Sequence, residues 1–302
     1  MILVTGANGN LGSATLAALR ARGASATGAS RTPGAGIRRL DFDDPSGIDL
    51  AGVSTLVLVS AGYAEDDRVI GRHAAVLDAA VRDGVRHVVY TSLTGAGDHL
   101  GFALAHRATE RLVRARGVPW TILRNGLYAE LFGGLLLWAD NGVESAFGDG
   151  ALAAVARADL AEAAAVIAAD PARHSGRVYD LVGTPITAAE VAGRLAVPHR
   201  TIGLGEYRRR LHETPGLLPF QPPMLASIDR RPARLPGRHR PRPRRHPGPP
   251  RSGPPGRGGR HRVRRSTGGG QVMTVDHRRG VVALALIAAF MVEVVGRPPT
   301  PG

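Results

Sequence analysis

Residues 1–12 read MILVTGANGNLG, an apolar run that stops in a glycine-rich turn and passes straight into the helix-forming stretch SATLAALRAR. A short Ile/Leu/Val run is what a strand covered on both faces of a parallel sheet requires. Gly6, Gly9 and Gly12 are spaced G-x-x-G-x-x-G, one residue wider than the common dinucleotide fingerprint. Each glycine meets its own steric demand: a tight turn, close approach of the backbone to a pyrophosphate, and close packing of helix on strand. The helix that follows aims its unpaired N–H groups at the anion. The unit therefore predicts a dinucleotide site built on Gly6, Asn8, Gly9, Asn10, Leu11 and Gly12, with a merely glycine-rich tight turn as the alternative reading.

The same rhythm continues. Residues 24–30 form a weak second strand ending at Arg31, residues 36–40 a third ending at Asp41, and STLVLVS (residues 54–60) a strong fourth. Between residues 66 and 83, Val69, His73, Val76, Leu77, Ala80 and Val81 share one helical face, and Gly84 closes the helix. RHVVYTS (residues 86–92) predicts strand five, residues 103–116 a helix closed by Gly117, and WTILRNG (residues 120–126) strand six. Strands alternating with helices in this way predict an α/β fold, a Rossmann-type doubly wound parallel sheet. Its ligands bind beyond the carboxyl ends of the strands. Past Gly126 the pattern loosens to a helix at residues 158–169, a strand at 177–182 and a helix at 187–195. One NAD(P)-binding domain over residues 1–230 is expected, with a nucleotide core at about 1–130 and a small C-terminal substrate-covering lobe at about 127–230.

Charge divides the chain at residue 231. The formal net charge is +14, but residues 1–230 hold 23 Arg against 23 Asp and Glu, while residues 231–302 hold 16 Arg against Asp276 and Glu293 alone. Residues 231–270 contain 13 Arg, 9 Pro and 9 Gly and almost nothing to bury, so a disordered basic tail is expected there. A nucleic-acid arm is the other reading of such a tail. The lack of any aromatic residue in residues 231–270, and of a second basic face on the body, argues against nucleic acid. There is no cysteine, which rules out disulfides and thiolate metal sites, and every basic residue is arginine. No metal site is expected. A first strand starting at Met1 leaves no room ahead of it for a signal peptide. The apolar stretch 281–292 has 12 residues, short of the roughly 20 a membrane helix needs. A cytoplasmic protein without a membrane partner is expected.

Individual residues suggest roles. Arg31 stands where an NAD enzyme carries an acid for the ribose hydroxyls, and its fork suits the 2′-phosphate of NADP. His106 and Glu110 lie one helical turn apart, as a substrate-facing pair or as a local surface pair. His73 reads as a satisfied core histidine. Asn125, Gly126 and Tyr128 follow strand six, where a polar loop walls a nicotinamide or substrate pocket, or simply makes an Asn-Gly turn.

Several stretches together resemble the NmrA-like atypical short-chain dehydrogenase/reductases of the NADPH-dependent quinone oxidoreductase type. They are TGANGNLG (5–12), SRTP (30–33), DFDDP (41–45), GVRHVVYTSL (84–93), HRATE (106–110), TILRNGLYAE (121–130) and RADLAEAAA (157–165). The resemblance implies NADPH as cofactor, an adenine edged by Asp41 and Phe42, and hydride transfer to a quinone-like small molecule. His106, Ser92 and Tyr128 become the catalytic candidates. It also implies an alternative, a non-catalytic NADP(H)-binding redox sensor of the NmrA type. One departure bears on chemistry. Standard members of the superfamily follow a strand-five serine with a Tyr-x-x-x-Lys pair, whereas here Ser92 is followed by His106 and Glu110, and the chain has no lysine. Ketone chemistry that needs a strong positioned acid is therefore disfavoured, and hydride delivery to a quinone is not. ASID (226–229) resembles the family's late helix and VGRPPTP (295–301) its closing motif. Residues 231–270 between them then read as a frameshift product or inserted linker without a function of its own, and 271–302 as a C-terminal remnant.

Overall fold

The computed structural model describes residues 1–60, 64–139, 142–217, 219 and 221–229, with two short strands at 263–265 and 271–274. The chain runs through β1 (Ile2–Thr5), α1 (Asn10–Ala21), β2 (Ala26–Ser30), β3 (Ile37–Arg39), β4 (Thr55–Leu58), α2 (Asp66–Arg82), β5 (His87–Leu93), α3 (Ala103–Ala115) and β6 (Trp120–Asn125). It continues through α4 (Ala129–Leu135), β7 (Leu137–Ala139), β8 (Gly142–Ser145), β9 (Ala151–Leu152), α5 (Arg157–Ala169), β10 (Arg177–Val182), β11 (Ile186–Thr187), α6 (Ala188–Arg194), β12 (His199–Thr201), α7 (Leu204–Glu213) and α8 (Gln221–Ala226). The last two strands are β13 (Val263–Arg265) and β14 (Gln271–Thr274).

The main sheet has the order β13-β14-β10-β6-β5-β4-β1-β2-β3, and the seven strands from β10 to β3 are mutually parallel. Side-chain alternation along each strand explains why both faces are covered. Leu3, Leu56, Leu58, Val88, Tyr90 and Ile122 point to one face and pack under Val76, Leu77 and Ala80 of α2 and Val113 of α3. Their neighbours Val4, Val57, Val89 and Leu123 point to the other, against Leu16 and Leu19 of α1 and the alanine-rich face of α5. Strand order reverses between β1 and β4. Thr5 latches that point, since its Oγ1 accepts from the Val59 amide at 2.9 Å.

The expected lobe is only partly separate. β10 joins the main sheet beside β6, and α5 packs on α1, so both complete the nucleotide fold. The small residues of α5 (Ala161, Ala164, Ala165, Ala168) permit that close seat. What remains is a three-stranded sheet β12-β8-β7 and the pair β11-β9, around two small apolar clusters centred on Phe132 and Tyr207. Within residues 231–270, Val263–Arg265 form the edge strand β13, paired antiparallel with β14. The rest of that range, with 281–292 and 295–301, lies outside the described residues. No helix among the described residues is long and apolar enough to cross a membrane.

Buried histidines pin the core. His73 of α2, 0% exposed, meets the Thr109 hydroxyl at 2.8 Å through Nδ1, and His87 of β5 meets that of Thr121 at 2.9 Å. Burial lowers His73 to about 3, and lowers His87 and His106 each to about 4. The unfolded chain takes up these protons near pH 6.5, but the folded chain only near 3 to 4, so stability is lost as pH falls through that window. Urea unfolding should therefore weaken by on the order of 1–2 kcal/mol per histidine between pH 7 and pH 5. Unchanged midpoints across that range would contradict it.

Candidate active site

The turn between β1 and α1 is shaped by two positions. Gly6 has φ +62°, a conformation that side chains disfavour. At Gly12 a Cβ would stand 2.2 Å from the Gly6 carbonyl oxygen and 2.9 Å from that of Thr5, so only hydrogen lets the helix sit down on the strand end. Asn8 Nδ2 donates to the Thr32 carbonyl at 3.0 Å and ties the turn to the loop after β2. The first N–H groups of α1, those of Asn10, Leu11 and Gly12, have no partner inside the helix. They face a cleft of about 770 Å³ lined by Gly6, Asn8, Gly9, Asn10, Leu11 and Gly12.

Arg31, Asp41, Phe42 and Asp43 form the far wall of the same cleft. Asp43 receives bidentate forks from Arg72 (2.8 and 2.6 Å) and Arg68 (3.3 and 3.2 Å), and these hold its carboxyl well below the usual range. Asp41 accepts the Asp43 amide at 3.0 Å. Arg31 is exposed and makes no hydrogen bond or ion pair among the described residues. It is the cleft arginine left available to an incoming anion, because Arg72 is bound to Asp43 and Arg157 to Glu130.

Past Val59, Ser60, Tyr128 and Leu131, the cleft continues into a slot of about 350 Å³. Phe102, Leu127, Met224 and Leu225 make it apolar, while Ser92, His106 and Asn125 bring polar atoms to it. Tyr128 stands on the wall common to both, under the Arg157 guanidinium at 5.4 Å. Glu130 holds Arg157 in place by accepting its amide at 3.1 Å. The buried Asn125 Oδ1 has no partner among the described residues. The Gly126 amide is already bonded to the Leu181 carbonyl at 2.7 Å, so Gly126 offers the slot surface and no donor.

Ser92 and Glu110 form a buried polar knot behind the slot. Ser92 donates to Glu110 Oε1 at 2.7 Å, and so do Arg107 (2.8 Å) and Arg124 (2.9 Å), while Arg124 also reaches Oε2 at 2.7 Å. Burial works to raise the Glu110 carboxyl, but the hydrogen bonds from Arg124 and Ser92 outweigh it and keep the group ionised. The pairing of His106 with Glu110 that their spacing allowed is not made. His106 instead meets the Tyr90 hydroxyl through Nδ1 at 3.0 Å.

The structure thus groups Gly6, Asn8, Gly9, Asn10, Leu11, Gly12, Arg31 and Asp41 in the first cleft, and Ser92, His106, Asn125 and Gly126 in the slot, with Tyr128 between. His73 is a core histidine, as expected. Sequence reasoning missed Arg72, Asp43 and Arg157, which reach the cleft from separate elements. Nothing in their local pattern marks them, although the i, i+4 spacing of Arg68 and Arg72 was visible. Among the described residues no His/Cys/Asp/Glu group has the makings of a metal site.

Residues 6–171 match the family model for NAD(P)H-binding proteins. The chain belongs to this family. It is 35% identical over 202 residues to quinone oxidoreductase 2 of Escherichia coli, spanning 61% of this chain and 68% of that one. It is 30% identical over 209 residues to an NmrA-like family domain-containing oxidoreductase of Aspergillus flavus, spanning 63% and 68%. Among solved structures, an E. coli NADPH-dependent quinone oxidoreductase complexed with NADPH superposes with a TM-score of 0.68 at 30% identity, covering 76% of this chain and 88% of that one. The Citrobacter triphenylmethane reductase complexed with NADP(H) gives 0.69 at 28% identity, with the same coverage.

Gly12→Ala should abolish nucleotide binding, read by quenching or transfer of NADPH fluorescence. It should also lower stability by about 1–3 kcal/mol, since the methyl must displace backbone. Wild-type affinity in that variant would remove the turn from the site.

Proposed function

We propose that this protein is an NADPH-dependent reductase that delivers hydride to a small, uncharged, conjugated acceptor of the quinone type. The observation that carries the reading is a single cleft that runs from a helix N-terminus with free amides into an apolar slot. Its quinone oxidoreductase relatives support the acceptor class. A Streptomyces griseus relative, 33% identical over 217 residues, is named as a reductase of an (alkanoyl-oxo-dihydrofuranyl)methyl phosphate; its conjugated carbonyl supports the conjugation of the acceptor, while its phosphate gives no support to an uncharged one.

Bound NADPH would supply a hydride. The residues present fit it. The turn from Gly6 to Gly12 would hold the pyrophosphate, Arg31 the 2′-phosphate, and Asp41 with Phe42 the adenine edge. The unpartnered Asn125 Oδ1 lacks a donor, and a carboxamide N–H is one. Tyr128, with Arg157 over its ring, would separate the two halves of the cleft and keep water from the slot.

Proton supply decides the acceptor. The Ser92 hydrogen is engaged by Glu110, and burial leaves His106 neutral at physiological pH. No strong acid faces the slot, so a ketone, whose reduction makes a basic alkoxide, is poorly served. A quinone accepts the hydride to become a hydroquinone monoanion that is stable enough to take its proton from water. Asp66 is the charged side chain that lines the slot among the described residues, apart from histidine, so an anionic acceptor has no counter-charge there.

Two outcomes test this. NADPH should bind about ten- to a hundredfold tighter than NADH, the worth of one charge-assisted contact, and Arg31→Ala should erase the difference in a fluorescence titration. Equal affinities in the unmutated protein would sink the NADP assignment. In NADPH consumption, 1,4-naphthoquinone should exceed its 2-sulfonate by about tenfold in kcat/KM, as one uncompensated charge near Asp66 would cost. A preference for the sulfonate would overturn the uncharged-acceptor reading.

A further inference from the structure

We propose that Tyr90 is a positioning residue: its hydroxyl donates to Nδ1 of His106, fixes that ring as the Nε2–H tautomer, and so makes a neutral histidine a hydrogen-bond donor to the acceptor's oxygen. This rests on the slot being the acceptor site.

Tyr90 is wholly buried in β5, and its hydroxyl lies 3.0 Å from His106 Nδ1. Three ring contacts hold the pair in register. His73 meets Tyr90 edge-on at 5.6 Å, His106 lies tilted on Tyr90 at 6.2 Å, and Phe102 meets His106 edge-on at 6.5 Å. Nε2 of His106 has no partner among the described residues and is not a sealed, orphaned atom, so it is the nitrogen open to the slot that His106 lines.

Chemistry sets the direction of the hydrogen bond. Burial pushes the Tyr90 phenol far above its ordinary value and holds His106 near 4, so both are neutral. Between a neutral phenol and a neutral imidazole, the phenol is the stronger donor and the ring nitrogen the stronger acceptor. The Thr109 and Ser60 hydroxyls also bond the Tyr90 oxygen and act to lower its pKa, which makes them donors to it. Its one hydrogen is left to point at Nδ1 and the ring hydrogen sits on Nε2, as an outer partner sets the tautomer of a working histidine. The charged and titratable groups facing His106 are Arg107 and Glu110 of its own helix, His73 of α2 and Tyr90 of β5, with Asp66 on the slot wall. Arg107 lowers the imidazole pKa, Glu110 raises it, and burial outweighs both.

The reaction balances without protein redox change. One hydrogen with two electrons leaves the nicotinamide for the quinone, giving the oxidised cofactor and a hydroquinone monoanion. The Nε2–H bonds the oxygen on which charge grows and stays on His106, and water supplies the final proton.

The test reads the tautomer and the kinetics separately. In 15N-histidine-labelled protein, with His106 assigned by comparison with His106→Gln, long-range proton–nitrogen spectra at pH 7 should show Nδ1 as the bare nitrogen. A protonated Nδ1, or a tautomer mixture, would overturn the proposal whatever the activity. His106→Ala should lower kcat for 1,4-naphthoquinone about tenfold, and Tyr90→Phe about five- to tenfold, with the KM for NADPH unchanged in both. Tyr90→Phe should add nothing in the His106→Ala background, because it acts through that ring. Multiplying losses would overturn it. Should Tyr90→Phe not fold, the wild-type spectrum still decides. A bare Nδ1 in a protein that reduces no quinone upholds the tautomer and defeats the acceptor reading.

Discussion

The Glu110 side chain is only 3% exposed, yet it is charged, and the wall behind the slot is assembled around it. Taking a carboxylate out of water costs several kcal/mol unless hydrogen bonds and opposite charge offset it. Here the offset comes from Ser92 on β5, Arg107 and Arg114 on α3, and Arg124 on β6. Arg107 then reaches the Leu93 and Thr94 carbonyls at 2.8 and 2.9 Å and Asp98 beyond. The loop leaving β5 is thus fastened to the same charge, and Asp180 of β10 takes its next two donors, Thr94 Oγ1 and the Gly95 amide. One buried carboxylate sets the relative position of two strand ends and a helix, and Asp180 ties in a third strand. Losing the Glu110 carboxylate would leave Arg124 without its bidentate partner, a change of about 3–5 kcal/mol for buried pairs of this kind.

That arrangement also redirects the chemistry. A lysine one turn after a tyrosine would lower the phenol pKa and ready it for proton transfer. The same place here holds an anion fully occupied by arginine, and the nearest phenol, Tyr90, is buried with its pKa raised. The slot is left with neutral donors and acceptors, Asn125 and His106, which can orient and hydrogen-bond but not titrate at neutral pH. In the proposed reading, such a site favours acceptors whose reduced form needs a hydrogen bond but no strong acid.

Most of the nucleotide half was legible in the sequence because its constraints are local. A glycine demanded by a 2.2 Å approach, an apolar run of two-residue period and a helix capped by glycine each reveal themselves within a dozen residues. Six strands and three helices up to Asn125, and later α5, β10 and α6, follow that logic. The small pieces β7, β8, β9 and β12 are two to four residues long, too short for any period to show; β7 and β8 form a local hairpin, while β12 and β9 exist only through pairing with distant β8 and β11. The site divides along the same line. Gly6, Gly12 and Arg31 were evident from position alone. The Arg72–Asp43, Arg157–Glu130 and Tyr90–His106 contacts join separate elements, and spacing along one chain does not announce them.

Charge shows the same dependence on arrangement. Residues 1–230 carry 23 Arg and 23 acids, so no net field draws an anionic cofactor to the body. Attraction must come from where cations are left unmatched. Along the cleft Arg72 shares Asp43 with Arg68 behind it, and Arg157 is held by Glu130, whereas Arg31 meets no acid among the described residues and lies on the same cleft as the N-terminus of α1. The positive end of the helix and the unmatched fork line one wall-to-wall space about as polar as a pyrophosphate and a ribose phosphate demand. In the proposed reading, recognition of the cofactor is built by withholding a partner from one arginine, in a body whose other cleft arginines are neutralised.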